Sequence, residues 1–125
     1  MKKYDYDKGE GLICNKIVFI GSPYRGDVKK NVYNAIKYSR FAIQNLCMPV
    51  TPHLMYPHML NDNIEEERKL GLLYGQILLE KCDEIWVFGK VSEGMAVEML
   101  VAQKAGIPIR FFNENCEEVT VPCGL

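Results

Sequence analysis

Apolar positions along this chain form short runs that alternate with longer stretches of helical spacing. The short runs are rich in β-branched and aromatic side chains, which predicts strands. We expect strands over residues 17–20, 48–51, 84–88, 107–112 and 119–121. In the longer stretches apolar residues recur every three or four positions, which predicts helices over residues 28–46, from Glu65 onwards, and between Ser92 and Gly106.

Polar residues and glycine mark the ends of these helices. Residues 61–63 offer side-chain oxygens before the second helix, and Ser92 is the expected N-cap of the third. Gly106 is expected to end the third helix in a left-handed conformation. Prolines keep residues 49–57 from being helical. The predicted buried positions are Leu70, Leu73, Ile77 and Leu78 in the second helix and Met95, Met99 and Ala102 in the third.

Strands that alternate with helices along one chain build a parallel sheet with helices on both faces. The length of 125 residues and the hydrophobic content of 48% suit one domain with a single core. We therefore predict a single-domain α/β fold, a Rossmann- or flavodoxin-like three-layer sandwich with a mostly parallel sheet. The domain is expected over residues 16–125, after a polar N-terminal arm over residues 1–15.

Charge and cysteine content narrow the functional class. A formal net charge of −1 gives no basic surplus for binding a nucleic acid polymer. No apolar run has transmembrane length, and the N-terminus is too polar for a signal peptide, so we expect a cytoplasmic protein without membrane attachment. The five cysteines are odd in number and form no CxxC pair, which favours free thiols over disulfides or a zinc site.

Ligands of such sheets bind beyond the carboxyl ends of the strands, a rule that selects three loops. The first loop, residues 21–27, carries Gly21, Ser22 and Gly26 for close backbone approach and Arg25 for charge. It leads into a helix N-terminus, which attracts anions, and an arginine can hold a phosphate or carboxylate with two hydrogen bonds. The alternative is an ordinary strand-to-helix turn with a solvated arginine.

The second and third loops add imidazoles, a hydroxyl and a carboxylate. His53 and His58 lie among prolines, where an imidazole can stack on a base or sugar or pack structurally, and their spacing is not a metal-binding pattern. Ser92 is suited to cap the third helix, and its hydroxyl is also suited to a phosphate. Glu98 shares the apolar face of that helix, where a glutamate needs a partner or a role.

Over residues 16–112 the layout resembles the nucleoside 2-deoxyribosyltransferase superfamily, which includes the 2′-deoxynucleoside 5′-phosphate N-hydrolases. The segments that carry the resemblance are residues 21–26 (GSPYRG), 82–89 (CDEIWVFG) and 92–95 (SEGM), followed by Glu98, Ala102 and residues 106–108. The resemblance implies a small-molecule nucleoside or nucleotide as ligand, no cofactor and no metal, and assembly as a homo-oligomer.

By the same resemblance, Glu98 is the nucleophile that attacks the anomeric carbon of a deoxyribosyl group and forms a covalent ester as the base leaves. The glycine-rich first loop and Ser92 correspond to phosphate contacts, which favours a 2′-deoxynucleoside 5′-monophosphate. The full set of expected substrate-binding residues is Gly21, Ser22, Arg25, Gly26, His53, Ser92 and Gly94.

Two helper positions of the superfamily differ in this chain. A tyrosine expected in or just after the first strand falls at Val18, although Tyr24 can reach the same space and is the second expected catalytic residue. An aspartate that helps the base leave, on the helix before the central strand, falls at Gly75. The sequence therefore leaves three functions open: cleavage or exchange at the N-glycosidic bond, non-catalytic binding of a nucleotide or ADP-ribose-like signal, and a structural or partner-binding role.

Overall fold

Five strands form one sheet in the computed structural model, which describes residues 16–124. They are β1 (Ile17–Gly21), β2 (Met48–Val50), β3 (Glu84–Phe88), β4 (Ile109–Phe112) and β5 (Glu118–Val119). Their order is β2-β1-β3-β4-β5, with β1 to β4 parallel and β5 antiparallel to β4. The mostly parallel sheet predicted from the sequence is confirmed. The predicted polar arm, residues 1–15, lies outside the described residues, as does residue 125.

Three helices connect the strands: α1 (Val28–Gln44), α2 (Glu65–Glu80) and α3 (Glu93–Ala105). Asp27 caps α1 and Ser92 caps α3 through side-chain oxygens, and Gly106 ends α3 with a φ of 71°. The predicted cap and glycine end of α3 are confirmed. Within residues 16–124, no helix combines the length and the apolar character that crossing a lipid bilayer would require.

The helices cover both faces of the sheet, which confirms the three-layer α/β arrangement. On the α1 face the buried residues are Val18, Ile20, Tyr38, Ala42, Cys47, Trp86, Phe88 and Phe112. On the face covered by α2 and α3 they are Phe19, Leu79, Cys82, Ile85, Val87, Met95 and Ala102. Successive residues of β1 and β3 point to opposite faces, so each of these two central strands supplies both cores.

The predicted buried stripe of α2 is wrong at most of its positions. Leu70, Leu73 and Ile77 are 39%, 50% and 42% exposed, and the buried residue of this helix is Leu79. The reason is that α2 carries aliphatic side chains on several sides, so apolar periodicity does not single out the side that meets the sheet. In α3, by contrast, Met95 and Ala102 are buried as predicted.

The segment before α2 also differs from the prediction. Two single-turn 3-10 helices, Pro52–Leu54 and Tyr56–His58, occupy a stretch expected to be non-helical, because proline is compatible with the first turn of a helix. Asn61 does not cap α2: its side chain accepts a hydrogen bond from the Asn63 backbone N–H at 2.9 Å. Ile64 is the N-cap and makes no side-chain capping bond.

Glu84 is the centre of a network of hydrogen bonds and ion pairs at the edge of the sheet where the parallel strands begin. This carboxylate accepts hydrogen bonds from Lys16 Nζ at 2.6 Å and from the Trp86 indole at 2.9 Å, and Arg110 lies 3.5 Å away. The Arg110 guanidinium covers the Trp86 ring at 4.9 Å and pairs with Glu118 at 2.6 Å. Burial by itself would raise the pKa of Glu84, but these partners outweigh it and hold the pKa below its usual value.

Candidate active site

The chain order along the sheet reverses between β1 and β3, because β2 lies on the outer side of β1. Gly21 at the carboxyl end of β1 is in register with Val87 of β3, so the loops after these strands leave the sheet side by side. Open α/β sheets bind ligands at such a reversal point. The candidate site therefore lies between the loop over residues 21–27 and the loop over residues 89–92.

The loop after β1 is held in one shape by Asn31. Its side-chain amide donates to the carbonyl oxygens of Tyr24 and Arg25, each at 2.9 Å. Gly26 has a φ of 100°, which residues with a side chain avoid. Ser22 is 1% exposed, and its hydroxyl has no hydrogen-bond partner within residues 16–124. Because buried hydroxyls normally have a partner, Ser22 is a candidate for contact with a ligand.

Tyr24 and His53 stack on each other beside this loop. Their ring centroids are 5.3 Å apart, with 26° between the ring planes. Burial lowers the pKa of His53, although a hydrogen bond with the Ser22 backbone acts in the opposite direction. The imidazole is therefore neutral at pH 7, and one of its two faces is covered by Tyr24. This contact joins the loop after β1 to the loop after β2.

Arg25 pairs with Asp62, a residue that the sequence did not single out for the site. The Arg25 guanidinium lies 3.2 Å from the Asp62 carboxylate, and the two side chains are 62% and 54% exposed. Asp62 was expected to help cap α2, but its side chain reaches the neighbouring loop instead. Arg25 is thus present at the predicted place, with its charge partly neutralised in the free protein.

Ser92 and Gly94 shape the start of α3. Ser92 Oγ accepts a hydrogen bond from the Met95 backbone N–H at 3.3 Å, so the hydroxyl hydrogen remains available to donate elsewhere. A Cβ placed on Gly94 would have only Ser92 Oγ within reach, at 4.0 Å. The first turn of α3 is therefore open, and its backbone N–H groups carry the positive end of the helix dipole.

Glu98 lies on α3 six residues after Ser92, on the same side as the buried Met95 and Ala102. Its side chain is partly buried and makes no hydrogen bond or ion pair with another residue of 16–124. Burial without a compensating partner raises the pKa of Glu98 from 4.5 to about 8. A carboxyl group with so perturbed a pKa, at the mouth of a parallel sheet, is a functional-site candidate.

The two helper positions of the resemblance carry no helper in the structure. Val18 is fully buried in the core on the α1 side and has no polar group to offer. Gly75 lies in the middle of α2, and a Cβ placed on it would have no atom within 4 Å. An acidic side chain would therefore fit at Gly75, but the chain does not supply one.

The structure sorts the predicted site residues into two groups. The loops after β1 and β2 hold Gly21, Ser22, Tyr24, Arg25, Gly26 and His53. The N-cap and the first two turns of α3 hold Ser92, Gly94 and Glu98. The adjacent carboxyl ends of β1 and β3 bring the two groups to one edge of the sheet. In the part of the chain that the structure describes, no group of three or more histidine, cysteine or acidic side chains is placed to hold a metal ion.

The fold is similar to that of solved 2-deoxyribosyltransferases. The enzyme from the psychrotolerant bacterium Bacillus psychrosaccharolyticus gives a TM-score of 0.67 at 13% identity, over 83% of this chain and 77% of that chain. The enzyme from Leishmania mexicana gives 0.52 at 17%, over 78% and 64%. A conserved protein from Enterococcus faecalis V583 gives 0.54 at 16%, over 79% and 64%. This chain thus spans less than two thirds of the latter two chains, and the similarity confirms the expected fold.

Comparison at the level of sequence identifies a family. No curated protein matches the chain. Residues 16–112 match the family described as "Domain of unknown function (DUF7768)", a span that includes every strand and helix of the sheet domain except β5. Because this match covers well over half of the sequence, the chain belongs to the family described as Domain of unknown function (DUF7768).

Proposed function

We propose that this protein cleaves the N-glycosidic bond of a 2′-deoxynucleoside, or exchanges its base, with Glu98 as the nucleophile. The observation that carries the proposal is Glu98, a partly buried carboxyl group with a raised pKa and no partner within residues 16–124, on the helix that follows the reversal point of the sheet. Two of the similar structures are 2-deoxyribosyltransferases, which supports a deoxyribosyl group as the part of the substrate that is transferred.

The reaction proceeds in two displacements. Glu98 first loses its proton, and its carboxylate then attacks the anomeric carbon while the bond to the base breaks and its electron pair leaves with the base. The base takes up a proton from solvent as it departs, and the water or second base that attacks in the next step gives one proton back to solvent. Water, or a second base, then attacks the same carbon and releases the Glu98 carboxylate. Positive charge develops on the sugar in both steps, and a poorly solvated carboxylate attracts that charge strongly.

A 5′-monophosphate is the substrate group that suits the neighbouring loops. Ser92 has a hydroxyl hydrogen free to donate, and the first turn of α3 presents backbone N–H groups at the positive end of the helix. Arg25 adds a guanidinium from the opposite loop, and Ser22 adds a buried hydroxyl. The stacked Tyr24 and His53 rings then border the sugar and base on the side of β2.

We also propose that a second copy of this chain covers the exposed apolar side of α2 and α3. The residues that form this surface are Leu70, Leu72, Leu73, Tyr74, Ile77, Val97 and Leu100. Exposed apolar surface of this extent on two helices that contact each other favours association. Leu73→Asp should shift the protein towards monomer in sedimentation, whereas Ile43→Asp, at a site of similar exposure on α1, should leave the mass unchanged. A wild-type monomer at every concentration would contradict the proposal.

A cytoplasmic location forms part of the same proposal. The four cysteines within residues 16–124 (Cys47, Cys82, Cys116 and Cys123) are all free thiols, as suits a reducing compartment. Burial raises the pKa of Cys82 to about 11, so that thiol remains protonated and unreactive.

The experiment that tests the proposed reaction measures release of free base from a panel of deoxynucleosides and their 5′-monophosphates by chromatography. Wild-type protein should release base from at least one substrate. Glu98→Gln and Glu98→Ala should lose that activity by about a thousandfold or more, because each removes the nucleophile. Glu93→Gln, which removes an exposed carboxylate from the first turn of the same helix, is the matched control and should retain activity.

Non-catalytic nucleotide binding is the second candidate, and the bare position at Gly75 favours it. A pocket without a group to help the base leave can hold a nucleotide or an ADP-ribose-like signal without cleaving it. This function predicts thermal stabilisation by nucleotides, no release of base, and the same stabilisation in Glu98→Gln. Absence of both binding and base release would exclude both functions and leave a structural or partner-binding role.

A further inference from the structure

We propose that Asp62 is a selectivity residue that weakens binding of 5′-phosphorylated substrates by holding Arg25. This inference rests on the proposed function, since it concerns which form of the nucleoside the same site prefers. It reverses the simplest expectation for the loop after β1, in which Arg25 is free to meet a phosphate. The observation behind it is the ion pair between Arg25 and Asp62 at 3.2 Å.

The pair joins two segments that are distant in the chain. Arg25 belongs to the loop after β1, and Asp62 belongs to the turn that immediately precedes α2, 37 residues later in the chain. Tyr24 and His53 form the second contact between the same two regions. The carboxylate of Asp62 therefore lies beside the one cation of the loop after β1.

Both members of the pair stand on well-anchored backbone. On one side Asn31 binds the carbonyl oxygens of Tyr24 and Arg25. On the other side Asn61 accepts from the Asn63 N–H at 2.9 Å and from the Ile64 N–H at 3.0 Å, which closes the turn around Asp62. A bound phosphate would have to draw the guanidinium away from Asp62 by side-chain motion, because the backbones of both segments are held.

Asp62 and a bound phosphate would compete for Arg25, and few other cations lie in the neighbouring segments to offset the loss. Arg25 is the one lysine or arginine in residues 21–27, and residues 51–63 contain none. With Asp62 in place, the local charge of the pair is zero, and an incoming dianion gains less from Arg25 and is repelled by the carboxylate. An uncharged 5′-hydroxyl is not repelled. Asp62 thus shifts the preference of the site towards unphosphorylated nucleosides.

The test compares each 2′-deoxynucleoside with its own 5′-monophosphate in the full-length protein. Dissociation constants are measured by calorimetry, and KM and kcat where base is released, for wild type, Asp62→Asn, Asp62→Glu and Arg25→Ala. Asp62→Asn should bind the monophosphate about 1.5-fold to fivefold more tightly at low ionic strength, the range expected for an exposed ion pair. Binding of the nucleoside should not change, and the effect on turnover should appear in KM with kcat unchanged.

Controls separate this effect from a general change in charge. Glu66→Gln removes one exposed negative charge from the first turn of α2, where Glu66 makes no ion pair with another described residue, and should not alter the ratio of the two affinities. Asp62→Glu keeps the negative charge and should leave the ratio of monophosphate to nucleoside affinity at the wild-type value. In a protein that already carries Arg25→Ala, Asp62→Asn should have no effect on this ratio. High salt should reduce the difference between wild type and Asp62→Asn.

The outcomes distinguish this inference from the proposed function. If wild-type protein releases base but Asp62→Asn changes both affinities equally or neither, the role of Asp62 is overturned and the reaction stands. If wild-type protein binds no member of any pair, both are overturned. If nucleotides bind with the predicted change in ratio but no base is released, the reaction fails and the selectivity role of Asp62 stands.

Discussion

Glu84 is buried at the amino edge of the sheet, whereas Glu98 is partly buried on the helix that leaves the carboxyl edge. Glu84 accepts hydrogen bonds from Lys16 and Trp86 and faces Arg110, and its pKa lies below the usual value. Glu98 has no such partner within the described chain, and its pKa rises to about 8. The same side chain is therefore ionised and paired at the amino edge, and at the carboxyl edge it is unpaired with a raised pKa, which makes it a candidate for function.

The two edges of the sheet also differ in how their buried polar groups are paired. Ser22 Oγ is the one buried side-chain nitrogen or oxygen without a hydrogen-bond partner among residues 16–124, and it follows β1 at this edge. The amino edge, in contrast, pairs Asp83 with the Ile17 N–H at 2.7 Å and Arg110 with Glu118. Because buried polar groups normally have partners, this difference supports the proposal that the carboxyl edge binds the ligand.

The largest effect that follows from the comparison is on the pH dependence of stability. The pKa of Glu98 in the folded protein, about 8, lies above its unfolded value, so the folded state holds the proton more tightly. The associated stability is fully present below about pH 4 and is lost as the pH rises through about 8, a loss of roughly 3–5 kcal/mol. Denaturant unfolding of wild type and Glu98→Gln across this range should show the loss in wild type alone. If the free energy of unfolding changed with pH in the same way in both proteins, the raised pKa of Glu98 would be contradicted.

The second effect is on the rate of base release, which requires Glu98 to be ionised. With a pKa of about 8, only about 1% of Glu98 is ionised at about pH 6, so the rate should rise by about fifty- to a hundredfold between about pH 6 and pH 8.5. An ordinary carboxylate nucleophile would give a flat profile over the same range. An unphosphorylated deoxynucleoside should be used, because a phosphate itself titrates near pH 6.

Glu84 should stabilise the folded state at neutral pH, the opposite of Glu98, and its effect on the free energy of unfolding should be somewhat smaller. Glu84→Gln keeps an acceptor for Trp86 but removes the charge that faces Arg110, which should lower the free energy of unfolding at neutral pH by about 2 kcal/mol. Because the folded-state pKa of Glu84 is lowered, its contribution is present above the unfolded pKa and is lost as the pH falls through the folded pKa.

Two observations would check this contrast. Base release per folded molecule should be unaffected in Glu84→Gln, because the amino edge lies away from the candidate site. Glu118→Gln, which removes the more exposed partner of Arg110, should destabilise less than Glu84→Gln. A loss of activity in Glu84→Gln without a loss of stability would mean that the amino edge also serves the reaction.

The sequence predicts the features of this molecule that depend on local periodicity. The strands around β1 and β3, the cap at Ser92 and the inward side of α3 follow from spacing, and they place Glu98 correctly beside Met95 and Ala102. Features that depend on distant contacts are not encoded locally. The Arg25–Asp62 pair spans 37 residues, and the pKa of Glu98 depends on what surrounds it in three dimensions. The prediction of the buried side of α2 fails for a different reason, because its aliphatic residues lie on several sides of the helix.

Gly75→Asp provides the finest test of whether Glu98 is a nucleophile that lacks a helper. The position lies in the middle of α2 with no atom within 4 Å of an added Cβ, so an aspartate should be accommodated, and replacing a mid-helix glycine costs no helix propensity. If the resemblance locates the missing acid correctly, base release should increase about tenfold, a modest share of what a well-placed general acid contributes.

The matched variant Gly75→Asn has nearly the same size and shape but cannot deliver a proton, so it should leave the rate at the wild-type level. An equal gain in both variants would point to a change in the shape of the pocket rather than to proton transfer. If neither variant gains and wild type binds nucleotides without releasing base, the raised pKa of Glu98 belongs to a binding pocket. Glu84 and Glu98 would then affect the free energy of unfolding in opposite ways, but neither would take part in a reaction. Glu98 would be a partly buried acid that remains mostly protonated at neutral pH.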